Sequence, residues 1–190
     1  MTLSVCDLDP ADRHRSVSAH FAEHCAAVTD WHAPTPVAGW RTRDVVEHLI
    51  GWSREFLSVG GLVLSADLPR GDDLGKAWGV HCAEVQALLD GPESRAPFTH
   101  PYAGTHVLAE AIDRFYTADV FMHTWDLAIS AGRAPQLDPQ FAATLVDGMS
   151  AMDDVLRSSG QYGPAVAVPT DADPVTRLAA FIGRDPRWRP

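Results

Sequence analysis

The feature that most constrains this chain is helical periodicity. Apolar side chains recur three or four residues apart along most of its length, and alternating β patterns are nearly absent. Asp-Pro pairs punctuate the pattern. In Asp9-Pro10, Asp138-Pro139 and Asp173-Pro174 a short carboxylate precedes a proline, which suits an N-cap followed by the first helical position. Behind Asp9, the residues Val17, Phe21, Cys25 and Val28 mark a first helix. Thr42 reads as the N-cap of a second, with an apolar stripe of Val45, Leu49, Trp52, Phe56, Val59 and Val63 that weakens at Gly60-Gly61. A third helix is expected after Asp72-Asp73, carrying Leu74, Trp78, Val85 and Leu88. A loop from Pro92 to about Gly104 leads into the longest segment, 105–130, whose stripe is Leu108, Ile112, Phe115, Met122 and Ile129; Gly132 and Pro135 stop it. Phe141, Leu145, Met149 and Leu156 carry a fifth helix, residues 166–168 read as a short strand or extended loop, and Gly183 closes a last short helix. The expected fold is all-α: a four-helix bundle with an additional short C-terminal helix, one domain over 1–190.

Composition narrows the function. A length of 190 residues buries a core without disulfide staples. The formal charge of −10 (15 basic against 25 acidic residues), with no Lys/Arg run, argues against nucleic acid and against an anionic membrane surface. No apolar run approaches the roughly 20 residues of a membrane span, and the N-terminus lacks a basic-then-apolar signal, so a cytoplasmic protein is expected. Cys6, Cys25 and Cys82 are odd in number and far apart, which fits small apolar fillers in a reducing compartment and neither a disulfide framework nor a thiolate zinc site. There is no Gly-rich phosphate loop and no nucleophile elbow.

The informative residues are polar ones on apolar stripes. At about 100° per residue, Asp119, His123 and Asp126 fall inside the stripe of the long segment, while Asp113 points away from it. A buried carboxylate costs several kcal/mol unless a cation or hydrogen bonds compensate it. Asp119 and His123 are four apart, so they stack on one face and can converge on one ion. Asp126, three residues further on, is within reach of the imidazole and can orient it. His48 lies at the edge of the second helix's stripe and is the natural third ligand if the two helices face each other. Two imidazoles and a carboxylate suit Zn²⁺, Ni²⁺ or Fe²⁺. The same residues are also compatible with a metal-free core, in which Asp119 and His123 share a hydrogen bond or an arginine from another helix pairs the carboxylate. His81 sits on the buried stripe of the third helix as a fourth ligand, an acid–base group or a packing residue. Trp52, one turn from His48, is placed to line a pocket. His14, His20, His24, His32, His100 and His106 show no shared geometry and read as surface or loop residues.

Three segments carry a family resemblance: PTPVAGWRTRDVVEHLIGW at 34–52, DVFMHTWDLAISAGR at 119–133, and DADPVTRLAAFIGRDPRW at 171–188. In them the chain resembles the actinobacterial metal-binding proteins of the DinB-like superfamily, related to the N-terminal domain of mycothiol-dependent maleylpyruvate isomerases. The resemblance implies a DinB-like four-helix bundle that holds a divalent ion through a histidine of the second helix and a carboxylate-x₃-His pair of a later one. Those positions are His48, Asp119 and His123, and Asp126, read above from its spacing, would act behind them by orienting a ligand. It also implies an ion, zinc being the most available, that activates a small thiol such as mycothiol for isomerisation or transfer to an electrophile, and a homodimer. The isomerases have a second, C-terminal domain that this chain, ending at Pro190, lacks, and their carboxylate is typically Glu where Asp119 stands. Maleylpyruvate is therefore not the expected substrate. The expectation is a metal-dependent thiol transferase or isomerase, with His81 as an acid–base candidate and Trp52 as a pocket residue. The alternative is a metal-binding module without catalysis, for stability, sensing or interaction.

Overall fold

The computed structural model describes residues 4–69, 71, 73–158 and 162–190. It is mostly helical, with one small two-stranded sheet, as the periodicity predicts. Each of those three Asp-Pro signals opens a helix. Asp9 accepts from the Asp12 amide at the head of α1 (Pro10–Cys25). Asp138 accepts from Gln140 and Phe141 at α6 (Pro139–Ser150), and Asp173 from Val175 and Thr176 at α8 (Pro174–Phe181). Each side chain takes up amide donors that have no partner inside the helix.

The bundle comprises α1, α2 (Thr42–Val59), α3 (Leu74–Asp90) and a continuous rod over 108–130. The rod consists of α4 (Leu108–Ala111), a π-helical segment (Ile112–Thr117) and α5 (Ala118–Ser130). Both α1 and α2 pack against α3 and α5, so α1 and α2 sit diagonally and α2 faces α5 across the core. A second layer lies outside: α8 packs on α6 and on α5. Covered from both sides, α5 is buried almost all round, from Val120 to Ala128 without interruption. That placement makes polar residues on any of its faces costly and therefore informative.

Several boundaries differ from the sequence expectation. Arg41, not Thr42, occupies the N-cap of α2; Thr42 is the first helical residue, and its hydroxyl donates to the Asp30 carbonyl at 2.8 Å. The Arg41 amide is instead met by the Asp44 carboxylate at 2.7 Å, the return half of a capping box. The stripe of α2 stops early: Val59 is 51% exposed and Val63 75%, because the chain leaves the helix at Gly60. At the head of α3, Asp72 lies outside the described residues and Asp73 holds the cap position. The expected loop after Pro92 contains a short hairpin, β1 (Pro97–His100) paired antiparallel with β2 (Gly104–Val107), too short to show as alternation. Its pairing uses residues 105–107, so the rod begins at Leu108 rather than Thr105. Residues 151–152 divide the fifth helix into α6 and α7 (Asp153–Ser158), and no residue of α7 is buried to hold the two in one rod. Residues 166–168 form no strand, and the Val166 amide bonds to the Ala180 carbonyl.

The π segment has the largest effect on register. One extra residue per turn rotates the buried face, so Tyr116 is buried where a regular helix would bury Phe115, which is only half-buried. Asp113, expected to point away, is half-buried and paired with Arg13. Two of the histidines read as surface residues, His14 and His24, are buried.

Candidate metal centre

His48 on α2 and Asp119 and His123 on α5 converge between the facing helices. One donor atom from each lies within 4.8 Å of the others, and they are the one such group of His, Cys, Asp and Glu side chains among the described residues. Asp119 stands between the imidazoles, with Oδ2 3.4 Å from His48 Nε2 and Oδ1 3.7 Å from His123 Nε2. For metal–ligand bonds of about 2.0–2.2 Å, neighbouring donors on a tetrahedral ion lie roughly 3.3–3.6 Å apart. The set fits a divalent ion in spacing and in donor chemistry.

The donors are held from behind. His123 Nδ1 donates to Asp126 Oδ2 at 2.8 Å, which fixes the ring and turns Nε2 toward Asp119. Asp126 has no solvent exposure, and its countercharge is Arg184, whose Nε and Nη2 donate to Oδ1 and Oδ2 at 3.1 and 3.0 Å. Arg184 enters because the chain turns sharply after α8. Gly183 has φ +86° and a Cβ there would meet Gly163 Cα at 2.8 Å, so the turn needs glycine twice over. On the opposite side, Trp52 Nε1 donates to Asp119 Oδ2 at 2.9 Å. Trp52 thus positions a candidate ligand, a more specific task than lining a pocket.

Charge within the group is balanced. Burial pushes the Asp119 carboxyl up, but His123, His48 and the Trp52 donor outweigh it and hold the group below its usual range. Burial likewise opposes the charge of Asp126, and His123 and Arg184 overcome it. His123 goes the other way: burial disfavours its charge, yet Asp119 and then Asp126 raise its pKa above the ordinary value.

Periodicity did not single out three neighbours of the site. The Trp40 ring stacks on His123 (centroids 5.7 Å apart, planes 11°) and lies 4.9 Å from His48, forming an aromatic wall. The half-buried Tyr162 lies near enough to Asp119 that burial, and then that carboxylate, push its phenol up to about 12. Arg184 is the third, and the buried charge of Asp126 was the one sequence signal for it. His81 lies outside the three-donor group. It is fully buried, 3.0 Å from Ser53 Oγ and edge-on to the Tyr116 ring. Because the Ser53 hydroxyl donates to the Leu49 carbonyl at 2.6 Å, His81 Nε2 is the donor in that pair. Burial, followed by the charge of Arg54, depresses its pKa to about 3. A cavity of about 500 Å³, walled by Trp125, Ile129, Arg133, Gln136 and Arg189 among others, lies elsewhere and includes none of the three donors.

Comparison with known proteins adds a family likeness. The profile of the mycothiol maleylpyruvate isomerase N-terminal domain matches residues 14–61, which cover most of α1 and all of α2 and include His48 and Trp52. The match is consistent with the mycothiol-related, DinB-like resemblance read from the sequence. Two Mycobacterium tuberculosis proteins, Uncharacterized protein MT0763 and Uncharacterized protein Rv0738, are each 29% identical over 187 residues, covering 95% of this chain and 100% of their own. No solved structure matches the chain significantly. Among the described residues no helix is long and apolar enough to cross a membrane.

Proposed function

We propose that this chain is a divalent-metal-dependent enzyme that activates a small thiol of the mycothiol type and directs its sulfur to a small electrophile. One observation carries the reading: two imidazoles and one carboxylate, from helices facing each other in a bundle, converge at ligand spacing with their supporting hydrogen bonds already made. His48, Asp119 and His123 would hold the ion, most readily zinc. When bound, such an ion supplies Lewis acidity that lowers a thiol's pKa toward the thiolate. The protein's own groups do the remainder. Asp126 and Arg184 keep His123 Nε2 aimed at the centre, Trp52 keeps Asp119 from rotating, and Trp40 presents a flat apolar wall that excludes water beside the two imidazoles. Three protein donors would hold the ion, and His81, whose Nε2 is 3.0 Å from Ser53 Oγ, is not among them.

The test begins with elemental analysis of untagged protein, followed by thiol consumption with mycothiol and a panel comprising an epoxide, an enone and a chloronitroarene. The expected result is bound zinc near one equivalent at this centre and turnover that chelation removes. Asp119→Ala and His123→Ala are each expected to lose both. Bound metal without turnover on any electrophile would instead favour a non-catalytic module, and no metal at these residues would overturn the reading altogether.

A further inference from the structure

The cavity of about 500 Å³ that lies apart from the three donors opens where four parts of the chain meet: the end of α5, the turn after it, the head of α8 and the C-terminal segment. Its size falls in the range that holds small organic molecules. Trp125 and Ile129 of α5, with Val175 and Pro186 from later in the chain, give it apolar walls, and Arg133 and Arg189 stand among them. Trp125 is only 5% exposed whereas both arginines are exposed, so the apolar part lies inward and the charge outward. Gly132 (φ +67°) closes α5, and the Arg133 amide reaches back to the Ala128 carbonyl at 2.9 Å, which sets Arg133 just past the helix end.

The donors around this cavity have bonding capacity left. The indole N–H of Trp125 meets no acceptor among the described residues and is not sealed within the core, although a buried indole N–H ordinarily has a partner. Arg189 Nη1 donates to the Pro186 carbonyl at 3.3 Å and to the Trp188 carbonyl at 2.6 Å. Those two bonds use both Nη1 hydrogens and hold the guanidinium beside Pro186. Its Nε–Nη2 edge has no acceptor among the described residues, and that edge is a fork that grips a carboxylate through two parallel bonds. The Arg133 guanidinium enters no hydrogen bond or ion pair among the described residues. The acidic side chain in the lining, Asp173, is already committed. Its Oδ1 accepts from the Val175 and Thr176 amides at 3.0 Å each and its Oδ2 from the Thr176 hydroxyl at 2.6 Å. Asp185 bears on Arg189 from nearby but pairs with Arg187. Two guanidiniums against one carboxylate leave the lining net positive on a chain whose formal charge is −10.

We propose that this cavity is a binding site for a small organic carboxylate with a flat apolar body. The free edge of Arg189 receives the carboxylate, Arg133 adds a second positive charge beside it, and the body lies along Trp125, Ile129 and Val175. The Trp125 N–H offers a donor to a polar substituent on that body. An inner apolar wall with a few convergent polar groups is the usual build of such sites. The site shares no residue with His48, Asp119 and His123 and is independent of the proposed activity.

Isothermal titration calorimetry of the untagged full chain, with 2-naphthoate and with its neutral isostere 2-naphthamide, tests the assignment. The acid is expected to bind about tenfold more tightly than the amide, the scale of a charge-assisted hydrogen bond. Arg133→Gln/Arg189→Gln is expected to bring the acid down to the affinity of the amide; both side chains are exposed, so the fold is not at stake. The affinity should be the same in zinc-free protein and with zinc added. No binding of the acid, equal affinity for acid and amide, or wild-type affinity in the double variant would overturn the site. Binding that requires zinc would place the acid at the metal centre, overturning this site while leaving the proposed function standing. Binding of the acid by a chain that takes up no zinc would support this site and sink that function.

Discussion

Single residues here are decided by whether a buried polar atom finds a partner. Asp126 finds two, and a charge that would otherwise oppose folding becomes a fixed support for His123. His81 shows the same rule with the opposite sign. It is buried neutral with its pKa depressed to about 3, so between there and the ordinary 6.5 the unfolded chain binds a proton that the folded chain does not. Stability therefore falls as pH drops through that window, by up to about 1.4 kcal/mol per pH unit for this one group. His81→Gln, which keeps a donor for Ser53 and removes the titration, is expected to flatten the acid limb of urea midpoints measured between pH 6.5 and 4 in chelator. An unchanged slope would show that His81 gains its proton without unfolding. In sequence, His81 and His48 look alike, each a histidine on an apolar helix. Only the neighbours differ: Ser53 takes up one, and Asp119 faces the other.

At the scale of elements, α5 and the C-terminal segment form one functional unit. The α5 side chains supply two candidate ligands and their carboxylate support, but the countercharge comes from Arg184, 58 positions later. The turn at Gly183 is what delivers it. Arg184→Gln is expected to weaken zinc binding at the centre about 10- to 100-fold, the range for losing a supporting partner of a ligand. It should also destabilise the fold by about 3 kcal/mol, because Asp126 keeps its charge without a full partner. Competition with a chromophoric chelator measures the first and urea unfolding the second; partial recovery of affinity in Arg184→Lys would separate positioning from mere folding. The helix starts in this unit were legible, since Asp138-Pro139 and Asp173-Pro174 state their caps in four residues. The π segment was not. Its extra residue per turn has no local signature, and it moved burial from Phe115 to Tyr116 in the same rod that periodicity otherwise placed correctly.

For the whole molecule, the charge of −10 names no partner, and among the described residues several of its carboxylates are paired. Asp113 with Arg13 and Glu84 with Arg54 join Asp119 and Asp126 as carboxylates drawn inward, beyond the two the sequence singles out. A bundle with this candidate ligand set would gain stability from a bound ion by mass action. At zinc a hundredfold above its dissociation constant the gain is about 2.7 kcal/mol, equivalent to a rise in Tm of about 5–10 °C for a chain of this size. Differential scanning calorimetry of untagged protein with zinc and with chelator should show that rise, reduced in Asp119→Ala; equal melting in both conditions would count against a structural stake in the ion.

The sequence by itself determined most of the helices, the three Asp caps at Asp9, Asp138 and Asp173, and the polar residues Asp119, His123 and Asp126 on an apolar stripe, because periodicity and capping act over a few residues and are written locally. It also marked Asp119 and His123 as a pair, since a shared face needs only the helical repeat, with His48 as the third partner on condition that the two helices face each other. Tertiary structure alone decided that α2 faces α5, that Trp40 and Tyr162 border the candidate ligands, and that Arg184 completes the support of His123 through Asp126. It also brought His20 to the Pro135 carbonyl, more than a hundred residues away. Those outcomes depend on which helix packs where, and packing is a sum over the whole chain that no single stretch of it contains.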